Sequence, residues 1–255
     1  MGVVNVTPDS FSDGGEFLEP QAAIAHARQL IEEGADILDI GGESSRPGAR
    51  AVAEDEELQR VLPVLKALKE VPVSVDTRRP SVMRAVLAEG ASMINDIEAL
   101  EAPGALDAVA GTDCAVCLMH KQGDPATMQA HPTYQDVVAE VVGFLRERIQ
   151  VCERGGIDRD RIVVDPGFGF GKTVEHNFRL LKHLPELAAL GVPVLAGWSR
   201  KSTLGAVTGR PAGERLAASL AAALLAVRHG ATILRVHDVK ETRDALTVMQ
   251  ALEKA

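Results

Sequence analysis

The sequence predicts a single-domain α/β protein, a (β/α)8 TIM barrel, on three observations. Eight short β-rich runs alternate with longer amphipathic segments. Most of the runs are near-continuous in apolar residues, as parallel strands buried on both faces must be. Several intervening segments stop at glycine (Gly34, Gly90, Gly191, Gly230), which enters the left-handed conformation past a helix end at least cost. A doubly wound open sheet is the alternative arrangement. No linker or low-complexity stretch divides residues 1–255, which read as one domain.

The strand candidates are residues 2–6, 36–40, 72–76, 92–97, 114–119, 161–165, 192–196 and 232–236. Met1 and Gly2 lead straight into the first with no preceding cap, so the barrel floor is expected to lack a segment. That strand runs out into NVTPDSFSDGG, residues 5–15, before a helical pattern begins near Pro20. The loop carries Asn5, Thr7, Asp9, Ser10, Ser12 and Asp13, an inventory no core requires. The second strand reaches GGESSRPG, with Glu43, Ser44, Ser45, Arg46 and Pro47. A helix follows on the stripe Leu58, Val61, Leu62, Leu65 and Leu68. The third strand closes on SVDT at Asp76 and the fourth on INDI at Asn95 and Asp96. His120 and His131 flank the connection after the fifth, and Val138, Val141, Val142, Leu145 and Ile149 form the next helical stripe. The sixth strand ends in DPGFGFGK, with Asp165 and Lys172, and the seventh leads to GWSRKS, with Arg200, Lys201 and Ser202. A third stripe, Leu216, Leu220, Ala223, Leu224 and Val227, precedes the eighth strand, which ends in RVHD with Arg235, His237 and Asp238. The longer connections are residues 7–19, 41–53 and 120–132.

Composition narrows the function. With 36 acidic against 27 basic residues the net charge is -9, which argues against a phosphate-neutralising nucleic-acid face. Aromatics at 3% leave no base-stacking platform. No apolar run approaches the ~20 residues that span a bilayer. Three cysteines and no secretory start point to a reducing, cytoplasmic setting. Cys114 and Cys117 have CxxC spacing, but they lie in the apolar run CAVCLM and no second pair completes a zinc site. The remaining histidines, His26, His176, His183 and His229, fall in helical segments as surface or core residues.

In a barrel every strand end faces one rim, so these polar residues converge on a pocket. Asp76, Asn95 and Asp165 offer acceptors to a flat ligand rich in N–H donors. Arg46, Arg235 and His237 suit an anion such as pyrophosphate. Asn5 and the loop carboxylates are oxygen ligands of the kind Mg²⁺ takes beside phosphates and water. Ser202 sits where a helix begins, and its amide and the helix dipole suit a carboxylate. DPGFGFGKT is neither a P-loop, since Pro166 occupies the first glycine position, nor a GxGxxG dinucleotide loop. Its glycines read as a tight loop approaching a ligand, with Phe170 as a pocket wall and Phe168 as wall or core.

The ordered set NVTPDSFSDGG, DIGGESSRPGA, SVDT, INDI, DPGFGFGK, SRKS and RVHDV closely resembles the dihydropteroate synthase family, the folate-pathway enzymes targeted by sulfonamides. The resemblance covers essentially the whole chain. It implies condensation of 6-hydroxymethyl-7,8-dihydropterin pyrophosphate with p-aminobenzoate, giving 7,8-dihydropteroate and pyrophosphate. It also implies the (β/α)8 barrel, Mg²⁺ and a homodimer. By the same resemblance Asp165, Asn95 and Asp76 would grip the pterin and Lys201 would bond its ring. Arg235 would stack on the pterin and face the phosphates. Asn5 would bind Mg²⁺–pyrophosphate, with Arg46 and His237 on phosphate. Thr7 and Asp13 would help close the site. Ser202, Pro47, Phe170 and Arg46 would border the aminobenzoate. Ser45 stands where the family usually has Thr, keeping the hydroxyl and losing a methyl. Two related readings are weighed beside this one. A pterin-binding methyltransferase barrel would not need the SRKS carboxylate site, and a non-catalytic relative would have lost the first two loops.

Overall fold

A computed structural model describes residues 1–6, 19–44, 52–124 and 127–255. Its elements in chain order are β1 (Gly2–Asn5), α1 (Glu19–Glu32), β2 (Leu38–Gly41), α2 (Glu54–Ala67), β3 (Val73–Asp76), α3 (Pro80–Ala88), β4 (Met93–Asp96), α4 (Ala105–Ala110) and β5 (Ala115–Met119). They continue with α5 (Val137–Arg154), β6 (Ile162–Asp165), α6 (Val174–Lys182), α7 (Leu184–Ala188), β7 (Leu195–Ala196), α8 (Ser202–Thr208), α9 (Leu216–Arg228), β8 (Ile233–Leu234) and α10 (Val239–Glu253). All eight expected strands are present, the last two shorter than expected.

Strands β1 to β6 pair in sequence order, all parallel, and β7 pairs β8. Two parallel bridges, Gly2↔Val236 and Val164↔Val194, join the two sheets into a closed ring. Backbone bonds reinforce the seams, Val3 donating to Val236 at 3.0 Å and Val164 to Pro193 at 3.0 Å. Closure excludes the open-sheet alternative.

Side chains alternate between two cores, as strand geometry requires. Leu38, Ile40, Val73, Val75, Ile94, Val116, Leu118, Ile162 and Val164 face outward into the layer shared with the helices. Met1, Met93, Cys117, Val163 and Leu195 form a separate cluster that fills the barrel. The interior therefore turns from apolar to polar along the strand direction, since Met93 and Asn95, or Val163 and Asp165, share the inward face.

The helix-ending glycines have the expected positive φ: Gly34 at 97°, Gly90 at 95°, Gly191 at 77° and Gly230 at 104°. The stripe on α5 is buried as expected. The stripe on α9 is fully buried only at Ala223, with Leu220, Leu224 and Val227 half-buried. The buried residues of the helix are Ser219, Ala222, Ala223 and Ala226, while Leu216 is exposed. In LAASLAAALLAVR nearly every position is apolar, so spacing alone does not choose a face. The face that α9 turns into the shared core is the one carrying small residues. No helix among the described residues is long and apolar enough to cross a membrane.

Candidate active site

The polar residues gather at the carboxyl ends of the strands because the register is nearly level there. Asn5 pairs Gly41, Gly41 pairs Asp76, and Asp76 pairs Asn95 across four strands. Gly41 contributes no side chain. The space its Cβ would take is bordered by Asp76 Oδ2 at 3.9 Å and Asn5 Oδ1 at 4.0 Å.

Arg235, just past β8, crosses this level. Its Nε donates to Asp39 Oδ2 at 2.6 Å and its Nη2 to Asp76 Oδ2 at 3.1 Å. Asp39 lies two residues below Gly41 on the same strand face and is completely buried. Asn95 Nδ2 also donates to Asp39 Oδ2, at 3.2 Å. Two buried acceptors in this cluster, Asp39 Oδ1 and Asn95 Oδ1, have no hydrogen-bond partner among the described residues.

Burial pushes the Asp76 carboxyl up to about 7; Arg235 opposes the shift, and Asp39 and Asp96 add to it. Burial also works against the Arg235 charge, but the carboxylates of Asp39 and Asp76 outweigh it and raise the guanidinium above its ordinary range. Asp165, at the end of β6, is raised by burial, opposed by the Gly167 N–H that donates to Oδ1 at 2.7 Å and by Lys201. Lys201 is pushed down to about 8 by burial, with Asp165 opposing. Its Nζ lies 4.2 Å from the centroid of the Phe170 ring. The site thus holds the carboxylates of Asp39, Asp76 and Asp165 against Arg235 and Lys201, with burial raising Asp76 and Asp165 and lowering Lys201.

The loop after β6 is fixed from beneath. Lys172 is buried, and its Nζ meets His120 Nδ1 at 3.0 Å and the carbonyls of Phe170 at 3.0 Å and His120 at 3.3 Å. Burial brings Lys172 down to about 7, and burial with Lys172 nearby brings His120 down to about 3. Phe168 is core: it is buried and tilts against Trp198 with ring centroids 4.5 Å apart.

The expected residues separate into three groups. Asp76, Asn95, Asp165, Lys201, Phe170 and Arg235 come together, and Asn5 stands at their edge. His237 and Ser202 occupy the rim: the His237 ring meets Ser199 Oγ at 3.0 Å, and Ser202 opens α8 with an exposed side chain. Thr7, Asp13, Ser45, Arg46 and Pro47 lie outside the described residues. Asp96, grouped with Asn95 at the strand end, instead faces away from the interior and accepts the amides of Glu98 and Leu100, each at 2.8 Å. Glu43 is likewise committed to structure, meeting Arg78 at 3.5 Å and Arg79 at 3.2 Å. Asp39 was missed. Its signal was a lone carboxylate between Leu38 and Ile40 in a strand otherwise suited to burial, which demands a buried partner.

Comparison with known proteins agrees with this geometry. The family described as Pterin binding enzyme matches residues 1–237. The dihydropteroate synthase of Escherichia coli K12 is 51% identical over 254 residues, covering 98% of this chain and 90% of that protein. The dihydropteroate synthase of Xanthomonas albilineans with 4-aminobenzoic acid superposes with a TM-score of 0.95 at 57% identity, covering 100% of this chain and 93% of that one. The same organism's enzyme in complex with 7,8-dihydropteroate gives a TM-score of 0.91 at 54% identity, with 100% and 93% covered.

Proposed function

The chain belongs to the dihydropteroate synthases, a family of pterin binding enzymes, and from that premise we propose how its strand-end residues carry the family reaction. It joins 6-hydroxymethyl-7,8-dihydropterin pyrophosphate to p-aminobenzoate and releases pyrophosphate and 7,8-dihydropteroate. The observation that carries the residue roles is the acceptor set of half-buried Asp76 with buried Asn95 and Asp165, beside Arg235 and Lys201. A flat heterocycle rich in N–H donors satisfies those acceptors. An unliganded apolar core would leave them as a large desolvation cost.

In this reading Asp165, held by the Gly167 amide, takes the amino-pyrimidine edge of the pterin, and Asn95 Oδ1 accepts a further ring N–H. Lys201 donates to a ring acceptor, with Phe170 beneath its ammonium. Arg235 lies along the pterin and faces the departing phosphates, aided at the rim by His237; Arg46, by the family resemblance, would be a further phosphate contact. Loss of pyrophosphate leaves a methylene short of electrons, and Asp76 is the carboxylate placed to stabilise it. The aminobenzoate amine is a weak nucleophile, so a dissociative substitution suits it better than direct displacement. Ser202 and Phe170 are the described residues we assign to the aminobenzoate, and by the family resemblance Arg46 and Pro47 would join them. Thr7, Asp13 and Ser45 belong to the two loops that would exclude water from the cation.

Mg²⁺ fits the donor chemistry. Asn5 Oδ1 is a hard oxygen at the edge of the gap above Gly41, and no cluster of His, Cys, Asp or Glu able to hold a metal occurs among the described residues. Mg²⁺ keeps several waters and takes oxygen from substrate phosphates, so the chain would need to supply few ligands, of which we propose the Asn5 amide oxygen as one. When bound, the ion would offset charge on the leaving pyrophosphate.

A homodimer is the assembly we propose. Helix α9 is apolar on nearly every side, with Leu216 and Leu225 exposed, and α10 adds exposed Val248 and Leu252. A helix of that kind is normally covered. Sedimentation that gives monomers at micromolar concentration would refute it. The three thiols are free and buried, which suits the cytoplasmic setting we propose.

The decisive assay is release of pyrophosphate from the pterin substrate. Release is expected to require p-aminobenzoate and to be blocked by a sulfonamide. No release, or release indifferent to p-aminobenzoate, would refute the reading.

A further inference from the structure

We propose that Asp39 is a positioning residue for this reaction: its buried carboxylate sets the edge of Arg235 and turns the Asn95 amide so that the oxygen faces the pterin. The proposal rests on the pterin reading above and deepens it.

Asp39 touches no part of the site's open space through a solvent path, being completely buried in β2. A carboxylate accepts hydrogen bonds and donates none. Its Oδ2 takes the Nε of Arg235 at 2.6 Å and the Nδ2 of Asn95 at 3.2 Å. The first bond ties one edge of the guanidinium: Nε goes to Asp39 and Nη2 to Asp76 at 3.1 Å. Nη1 bonds neither carboxylate. The plane of Arg235 is therefore fixed by two strands before any ligand arrives, as a residue meant to lie along a ring requires.

The second bond decides a direction. An asparagine amide can present either its oxygen or its NH₂, and the network chooses. Facing an obligate acceptor, Asn95 gives its NH₂ to Asp39 and keeps Oδ1 for the other side. That oxygen is buried and has no partner among the described residues. A ring N–H of the pterin completes it. With the amide reversed, two acceptors would meet at Asp39 and an NH₂ would confront the ring N–H.

Arg235 also links Asp39 to the acidity of Asp76, because both carboxylates press on one guanidinium. Removing the Asp39 charge leaves Arg235 to Asp76 alone.

The test compares wild type, Asp39→Ala, and Asp39→Asn, whose amide oxygen can still accept from both Arg235 Nε and Asn95 Nδ2. Binding of dihydropterin pyrophosphate is read by calorimetry, and turnover against p-aminobenzoate and against pH. In Asp39→Ala the pterin Kd is expected to rise by roughly 10- to 100-fold, the size usual when a residue orienting a binding group is lost. The KM for p-aminobenzoate should stay within about twofold, since no aminobenzoate contact is altered. The acid limb of the pH profile should move to lower pH. Asp39→Asn keeps the acceptor that orients both donors and should recover much of the pterin affinity. Asp39→Leu is the second variant if Asp39→Ala fails to fold, with the same split expected. Equal losses for both substrates, an unmoved acid limb, or an Asp39→Asn variant no better than Asp39→Ala would each overturn the proposal. An inactive wild type would instead refute the function reading itself.

Discussion

The ammonium of Lys201 stands 4.2 Å from the centre of the Phe170 ring, so the cation we propose for the pterin ring rests on an aromatic face. Such contacts gain strength when desolvated. Burial nonetheless lowers Lys201 to about 8, Asp165 opposing. The protonated donor is therefore lost as pH rises through about 8, and pterin affinity should fall over that interval. Asp76, lifted to about 7 by burial with Arg235 opposing, must lose its proton to stabilise a cation. Turnover should then rise through about 7 and fall through about 8. Lys201→Met should lower pterin affinity and flatten the alkaline limb; a limb unchanged in that variant would exclude Lys201 as its source. Stability moves the other way. The native pKa lies below the ordinary 10.5, so unfolding takes up protons between about 8 and 10.5 and stability rises with pH across that window.

Asp165 separates binding from loop support. Its Oδ1 accepts the Gly167 amide at 2.7 Å, a bond an asparagine oxygen also makes. Asp165→Asn should keep the loop and its melting temperature but lose the anionic acceptor, weakening pterin binding by about 100-fold or more. Asp165→Ala should lose both and abolish calorimetric binding. Normal pterin affinity in the alanine variant would refute the assignment of the pterin edge to Asp165.

The sequence was legible where chemistry and periodicity agree. The eight strands, their order, the glycine stops and the rim residues Asp76, Asn95, Asp165, Lys201 and Arg235 all followed from apolar runs ending in polar side chains. Two things escaped. Helix α9 hid its face because leucine and alanine fill both sides, and only tertiary packing selects the small ones. Asp39 hid inside a strand because an inward-facing residue two positions before the strand end looks like core until its partner, nearly the whole chain away at Arg235, is known. Asp96 erred in the opposite sense: it adjoins Asn95 in sequence, but alternation sends it outward to brace a turn.

His120 makes acid stability a test of the support beneath the loop. Burial first, then the nearby Lys172, hold its pKa down at about 3 against an ordinary 6.5. The unfolded chain therefore binds a proton between those values that the native state refuses. Stability should fall as pH drops from about 6.5 toward 3, by up to about 1.4 kcal/mol per pH unit from this group. Urea unfolding of His120→Gln should show a shallower slope over that range. An equal slope in both proteins would mean that His120 is not held neutral.

Gly167 shows how little freedom the loop has. Its φ is +67°, and a Cβ there would lie 1.9 Å from the His120 carbonyl oxygen, which is backbone. That carbonyl cannot retreat, because the His120 amide is bonded to the Asp165 carbonyl at 3.0 Å and Lys172 Nζ holds the same oxygen at 3.3 Å. Moving it would disturb the β5–β6 junction and the Asp165 carboxylate together. Gly156 is the control: its φ is +88°, yet nothing lies within 4 Å of the added atom. Gly156→Ala should cost only the left-handed penalty of about 1–2 kcal/mol. Gly167→Ala should cost roughly 4 kcal/mol or more, in the range reserved for clashes that backbone cannot relieve. It should also weaken pterin binding, which Gly156→Ala should not. Thermal unfolding and pterin calorimetry on the two variants separate strain from collision, and equal melting temperatures would refute the close approach at Gly167.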